Sequence, residues 1–150
     1  MKRTTESSKH YNASFYSNQM PASYRSAAIY AHHYWQLAQP QSVVDVGCGR
    51  GTWLKAFKEQ GASQLTGLDG PWNSQGAMVD SAINFVPTDL NQSIRSSDRY
   101  DLAISLEVAE HLNPDAADTF VQSLTDLSDT ILFGAAFPGQ GGTEHINEQP

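Results

Sequence analysis

Apolar positions change their period several times along the chain. Between residues 21 and 38 they fall at Tyr24, Ala27, Ala28, Ala31, Tyr34, Trp35 and Ala38, and Pro40 closes the segment. Steps of three and four predict a helix. Ser42-Val43-Val44-Asp45-Val46 follows, a short β-branched run cut off by glycines, and it predicts a buried strand. Residues 52–60 predict a second helix with Trp53, Leu54 and Phe57 inward and Gly61 as its stop. Further strands are expected over 65–68, ending at Asp69, over 83–86, ending near Asp89, and over 100–105. A helical turn is expected over 107–112. Asn113-Pro114 then reads as an N-cap with proline at the first helical position. The helix behind it should bury Ala117, Phe120, Val121, Leu124 and Leu127. Residues 130–135 predict a fifth strand, and 137–150, rich in glycine and polar groups, a loop.

Strands alternating with helices at this spacing imply an α/β fold: a Rossmann-like, doubly wound, mostly parallel sheet covered on both faces, αβα in three layers. Ligands of such sheets bind at the carboxyl ends of the strands, where strand order reverses. The residues with chemistry to offer lie at those ends. No repeat, low-complexity tract or linker divides the 150 residues, so one domain over 16–150 is expected behind an N-terminal arm over 1–15.

Composition narrows the function. Nine Lys and Arg against 16 Asp and Glu give a net charge of −7, which excludes general charge attraction to a long nucleic acid but not contact with one short strand end. With 39% hydrophobic and 10% aromatic residues, a core can form. Cys48, the single cysteine, excludes an internal disulfide framework and points to a reducing compartment. Apolar runs such as 131–133 are too short to span a bilayer, and residues 1–12 carry no apolar signal segment. A cytoplasmic protein is expected.

The strongest local signal is Val43-Val44-Asp45-Val46-Gly47-Cys48-Gly49-Arg50-Gly51. Its G-x-G-x-G spacing differs from the dinucleotide fingerprint, because Thr52 stands where the last small residue would be; this disfavours a nicotinamide dehydrogenase. With Asp45 before the glycines, Asp69 18 residues beyond Gly51, and Asp89 after the third strand, the chain resembles the class I S-adenosylmethionine (SAM)-dependent methyltransferases. The resemblance implies a SAM site made by Asp45, Gly47, Cys48, Gly49, Gly51, Asp69, Gly70, Asp89, Leu90 and Leu106. In it Asp69 accepts both ribose hydroxyls, as a carboxylate can, and Asp89 meets the adenine. Alternatively, Asp69 and Asp89 are turn or cap residues. Trp72 either stacks on the adenine or covers the core. Cys48 lacks any evident thiolate-stabilising partner and is not read as a nucleophile. The family builds seven strands and five are counted here. The resemblance therefore implies either a piece of a longer protein or a sheet edge completed by a partner subunit, such as a homo-oligomer.

Ser105-Leu106-Glu107-Val108-Ala109-Glu110-His111-Leu112 resembles the fourth motif of the same family. On a helical turn, Glu107, Glu110 and His111 share one face. Three accounts stay open. One is a helix start with carboxylates on its dipole and a packing histidine. Another makes His111 a general base, with Glu107 and His145 as further catalytic candidates. The third is a divalent-metal site of Glu107, Glu110, His111 and His145, whose mixed oxygen and nitrogen ligands suit Mg, Mn, Fe or Zn. That set resembles the methyltransferases of the terminal 2′-hydroxyl of small RNAs, but Leu112 replaces their next histidine. The tail resembles the P-G-Q-G-G-T-x-H-x-N-E-Q stretch of small bacterial methyltransferase-domain proteins, and reads equally as a disordered loop or a substrate-side loop. The expected activity is SAM-dependent methyl transfer to a small-molecule or glycan-type acceptor, preferentially at oxygen. The alternatives are a silent SAM-binding remnant and a metal-assisted O-methyltransferase acting on vicinal hydroxyls.

Overall fold

The β-branched run at Ser42–Val46 becomes strand β1, and it takes the centre of the sheet because four of its five residues are buried. The structure is a computed structural model that describes residues 13–150, with side chains from residue 22 onward. Around β1 the chain builds α1 (Ala13–Ala38), α2 (Thr52–Gln60), β2 (Gln64–Asp69), β3 (Asn84–Pro87), β4 (Leu102–Leu106), α3 (Ala117–Leu127) and β5 (Ile131–Gly134). Every strand pair is parallel and the order is β3-β2-β1-β4-β5. From β1 the chain winds to β2 on one side and later returns to β4 on the other. The crevice above β1 and β4 is therefore the switch point at which such sheets bind ligands. Residues 1–12 of the expected N-terminal arm lie outside the described residues.

Alternation along β1 sorts the core into two layers. Val43 joins Leu54, Phe57, Leu102 and Ile104 beneath α1 and α2. Val44 and Val46 join Leu68, Ala103, Phe120 and Leu124 beneath α3. Between the first two helices, Tyr34 meets Phe57 edge-on at 5.9 Å and Tyr30 meets Trp53 at 5.8 Å, so Trp53 packs between helices while Leu54 and Phe57 face the sheet. Among the described residues, no helix is long and apolar enough to cross a membrane.

Strand β1 and helix α2 run where the pattern places them; other elements differ. Helix α1 continues through Pro21 back to Ala13. The helical turn expected over 107–112 shrinks to a single 3₁₀ turn, Ala109–His111, because Glu107 adopts a left-handed backbone (φ 56°) that ends β4 abruptly. Asn113 makes no side-chain cap; a 3₁₀ turn, Pro114–Ala116, leads into α3 instead. The buried stripe of α3 is Phe120, Ser123, Leu124 and Leu127, continued from Ala116 in the preceding turn, whereas Val121 is 53% exposed and Ala117 half-buried. Ser123 can be buried because its hydroxyl accepts the Ile94 N–H (3.0 Å) and donates to the Thr119 carbonyl (2.8 Å).

Candidate active site

The glycine loop turns off β1 by backbone hydrogen bonds to its neighbour strand. The N–H groups of Gly47 and Cys48 both donate to the Leu68 carbonyl, at 2.7 and 3.1 Å. Gly47 holds φ 88°, a conformation that disfavours any side chain. Asp69, at the end of β2, secures the loop from the other side: Oδ2 accepts the Gly49 N–H and Oδ1 the Gly70 N–H, each at 2.8 Å. Asn73, which the sequence reading missed, donates its side-chain amide to the Gly49 carbonyl. Burial pushes the Asp69 carboxyl up, and the two backbone donors and Asn73 oppose that. Each carboxylate oxygen retains a second lone pair, so the loop-bound Asp69 can still accept a cis-diol.

Asp45, buried near the end of β1, is pushed up to about 8, by desolvation first and by the Asp69 charge second. Cys48 is buried beneath the loop, and desolvation followed by the charges of Asp45 and Asp69 raises its thiol further, so it is no nucleophile. Gly51 (φ 81°) opens α2. Asp89 is exposed and its Oδ1 accepts the Asn91 N–H at 3.0 Å, the behaviour of a turn residue, while Leu90 is buried in the core. Trp72 is 56% exposed and lies across Gly70, where a β-carbon would meet its ring at 2.0 Å. It covers that turn and not the core. Leu106 packs against the first core layer at the end of β4.

A second cluster of polar groups is built on the short turn after β4. Glu110 is fully buried, and its carboxylate faces the Glu107 carboxyl, with which it interacts, and the two imidazoles rather than any backbone donor. Ser105 Oγ is a buried orphan among the described residues. Glu107 lies outside the turn, so the shared helical face does not form, yet the side chains still converge. The Glu107 carboxyl is pushed up by partial desolvation first and by the Glu110 carboxylate second. Ligand atoms of Glu110, His111 and His145 lie within 4.8 Å of one another. The two imidazole rings meet edge-on, 5.0 Å between centroids.

The tail brings His145 there as a folded strap. The N–H groups of Ile146 and Asn147 donate to the Glu110 carbonyl (2.9 and 3.0 Å), and the Asn147 side chain donates to the Ala109 carbonyl (3.3 Å). His111 Nδ1 faces the Glu144 carbonyl at 3.1 Å. Because a carbonyl only accepts, Nδ1 carries the proton and the lone pair sits on Nε2. His145 Nδ1 contacts Glu148 Oε1 at 2.9 Å, with the same consequence. His145 holds the Glu148 carboxyl below the usual carboxylate range, with help from the Gly139 N–H. Glu148 and Asn147 were visible in the H-x-N-E-Q run, but nothing local said what they would touch.

Residues 16–131 match the family described as methyltransferase domain, more than half of the chain. The chain belongs to that family. The ubiquinone biosynthesis O-methyltransferase of Methylobacterium nodulans is 32% identical over 77 residues, 47% of this chain and 30% of that protein. Among solved structures, the methyltransferase domain of bacterial CtHen1 superposes with a TM-score of 0.58 at 21% identity, over 76% of this chain and 64% of that one. The Burkholderia thailandensis 1,6-didemethyltoxoflavin-N1-methyltransferase, solved with 1,6-didemethyltoxoflavin and S-adenosylhomocysteine, gives 0.54 at 25% identity, over 71% of this chain and 48% of that one. This methyltransferase domain spans less than a third of the curated relative it matches and about half to two-thirds of those solved chains.

Proposed function

We propose that this methyltransferase domain moves the methyl group of SAM to a hydroxyl oxygen of a small-molecule or glycan-type acceptor over the β1–β4 crevice. SAM supplies the reactive methyl group. The Gly47–Gly51 loop offers it close backbone approach, Asp69 its two oxygens for the ribose, and Asp45 a carboxyl near the amino-acid end. Asp89 and Trp72, both exposed beyond the ends of β3 and β2, are assigned to the adenine on this reading.

The buried Glu110 carboxylate, set among the Glu107 carboxyl and two imidazoles, carries the oxygen reading. These are all lone-pair donors, and a hydroxyl acceptor must give up a proton as it is methylated. His111, held by its Nδ1–H···O=C bond, presents Nε2 as the base. The curated relative is an O-methyltransferase, which agrees, whereas the toxoflavin enzyme is named for nitrogen. Mass spectrometry of a metabolite extract incubated with the protein and methyl-labelled SAM tests the reading; no labelled product despite SAM binding would leave a silent SAM-binding remnant.

One observation favours a sharper version. Three ligand atoms lie within 4.8 Å of one another, so side-chain movement would bring them around one cation, where bonds of about 2.1 Å separate neighbouring ligands by about 3 to 3.4 Å. Glu110, His111 and His145, with Glu107 beside them, would then hold a divalent ion that grips vicinal hydroxyls. Such an ion, when bound, supplies Lewis acidity that eases proton loss. Activity indifferent to a chelator, with His145→Ala as active as wild type, contradicts this version and leaves His111 alone as the base.

A further inference from the structure

The Glu148 carboxylate accepts three hydrogen bonds. Oε2 takes the Gly139 N–H at 2.9 Å, while Oε1 takes the Gly141 N–H at 3.0 Å and His145 Nδ1 at 2.9 Å. The Gly141 N–H thus holds the same oxygen that faces the imidazole, and the Gly139 N–H holds the other end of the carboxylate. The His145 and Glu148 side chains are 12% and 19% exposed, so water competes weakly for this bond. His145 also lies against Gly142, where a β-carbon would meet its ring at 2.3 Å, so backbone confines the ring as well.

We propose that Glu148 is the positioning residue of this site: it fixes His145 as the Nδ1–H tautomer and so keeps the ring's lone pair on Nε2, the nitrogen that does not contact Glu148. Without an acceptor at Nδ1, either nitrogen can carry the proton and the ring loses its fixed orientation. The metal arm of the inference rests on the divalent-ion reading above, in which a carboxylate behind a ligating histidine orients the ring and raises its basicity. The tautomer arm does not.

The test uses the full chain as wild type, Glu148→Ala, Glu148→Gln and His145→Ala, the last to assign the His145 signals. Long-range proton–nitrogen NMR without metal reads the tautomer, and calorimetry reads Mn²⁺ affinity. Wild type and Glu148→Gln, which keeps an acceptor oxygen, are expected to show Nδ1–H, and Glu148→Ala to lose it. Mn²⁺ affinity is expected to fall about ten- to hundred-fold in Glu148→Ala, and far less in Glu148→Gln. A Glu148→Ala protein that keeps the Nδ1–H tautomer overturns the proposal. If the amide signals of Ile146 and Asn147 show the tail unseated in that variant, Glu148→Gln decides: loss of the tautomer there overturns the proposal and retention supports it. Wild type that binds no Mn²⁺ while its tautomer follows Glu148 removes the divalent-ion reading and leaves the positioning role standing.

Discussion

Val108 Cγ2 lies 2.3 Å from the point that a β-carbon on Gly47 would occupy. The glycine is therefore what lets the turn carrying Glu110 and His111 close down on the loop after β1. Gly47→Ala meets two penalties: about 1–2 kcal/mol for a side chain at left-handed φ and about 1–3 kcal/mol for overpacking. Denaturant unfolding should show the sum. Gly47→Ala with Val108→Ala should recover the packing part and not the backbone part. If the double variant is no more stable than Gly47→Ala alone, the contact does not couple the two segments.

Asp69→Ala removes both N–H acceptors that hold the glycine loop, together with the expected ribose contact. Losing charge-assisted bonds worth about 2 kcal/mol should weaken SAM binding ten- to hundred-fold by calorimetry and also lower the melting temperature. Unchanged affinity in a folded variant would remove Asp69 from the cofactor site.

Asp45 sets a pH dependence. Its carboxyl rises from 3.8 to about 8 on folding, so between those values the native state holds a proton that the unfolded chain has released. Stability is then fully present below about pH 4 and declines as pH climbs toward 8, by at most about 1.4 kcal/mol per pH unit from this group. Asp45→Asn should flatten that decline, so its gain in melting temperature should be larger at pH 8 than at pH 5. An equal difference at both pH values contradicts the assignment.

Much of this architecture is legible in local pattern. Ser42–Val46 and Thr52–Gln60 are where the β-branched run and the helical spacing put them; Asp69 ends β2 as expected and Asp45 stands one residue before the end of β1. What escapes is set by partners far along the chain. The left-handed Glu107 and the descent of Val108 onto Gly47 depend on residues some 60 positions earlier, and helical spacing overrides neither. Asn147 bonds to the Ala109 carbonyl across 38 residues, and this contact, with the Ile146 and Asn147 amides on Glu110, turns a glycine-rich segment into a strap. Asp89 shows another limit: its turn hydrogen bond to the Asn91 N–H is local, and sequence position alone does not say what its other oxygen meets.

On the proposed reading, Glu110 is kept for the chemistry at a cost in stability. A buried carboxylate that faces another carboxyl instead of a backbone donor is costly, and an apolar side chain of similar size should pack better. Glu110→Met should therefore stabilise the metal-free protein by about 1 kcal/mol or more in denaturant unfolding and abolish methyl transfer. A destabilised variant would mean that the carboxylate has a structural partner.

The most direct test of the account is transfer itself, with wild type and His111→Ala compared in the same metabolite extract supplied with methyl-labelled SAM. Mass spectrometry should find a product carrying the label on oxygen with wild type, and His111→Ala should bind SAM normally while forming at least about a hundred-fold less of it. A product labelled equally by both proteins, or labelled on nitrogen or carbon alone, would contradict the assignment of Glu110, His111 and His145 as the acceptor side of an O-methyl transfer site.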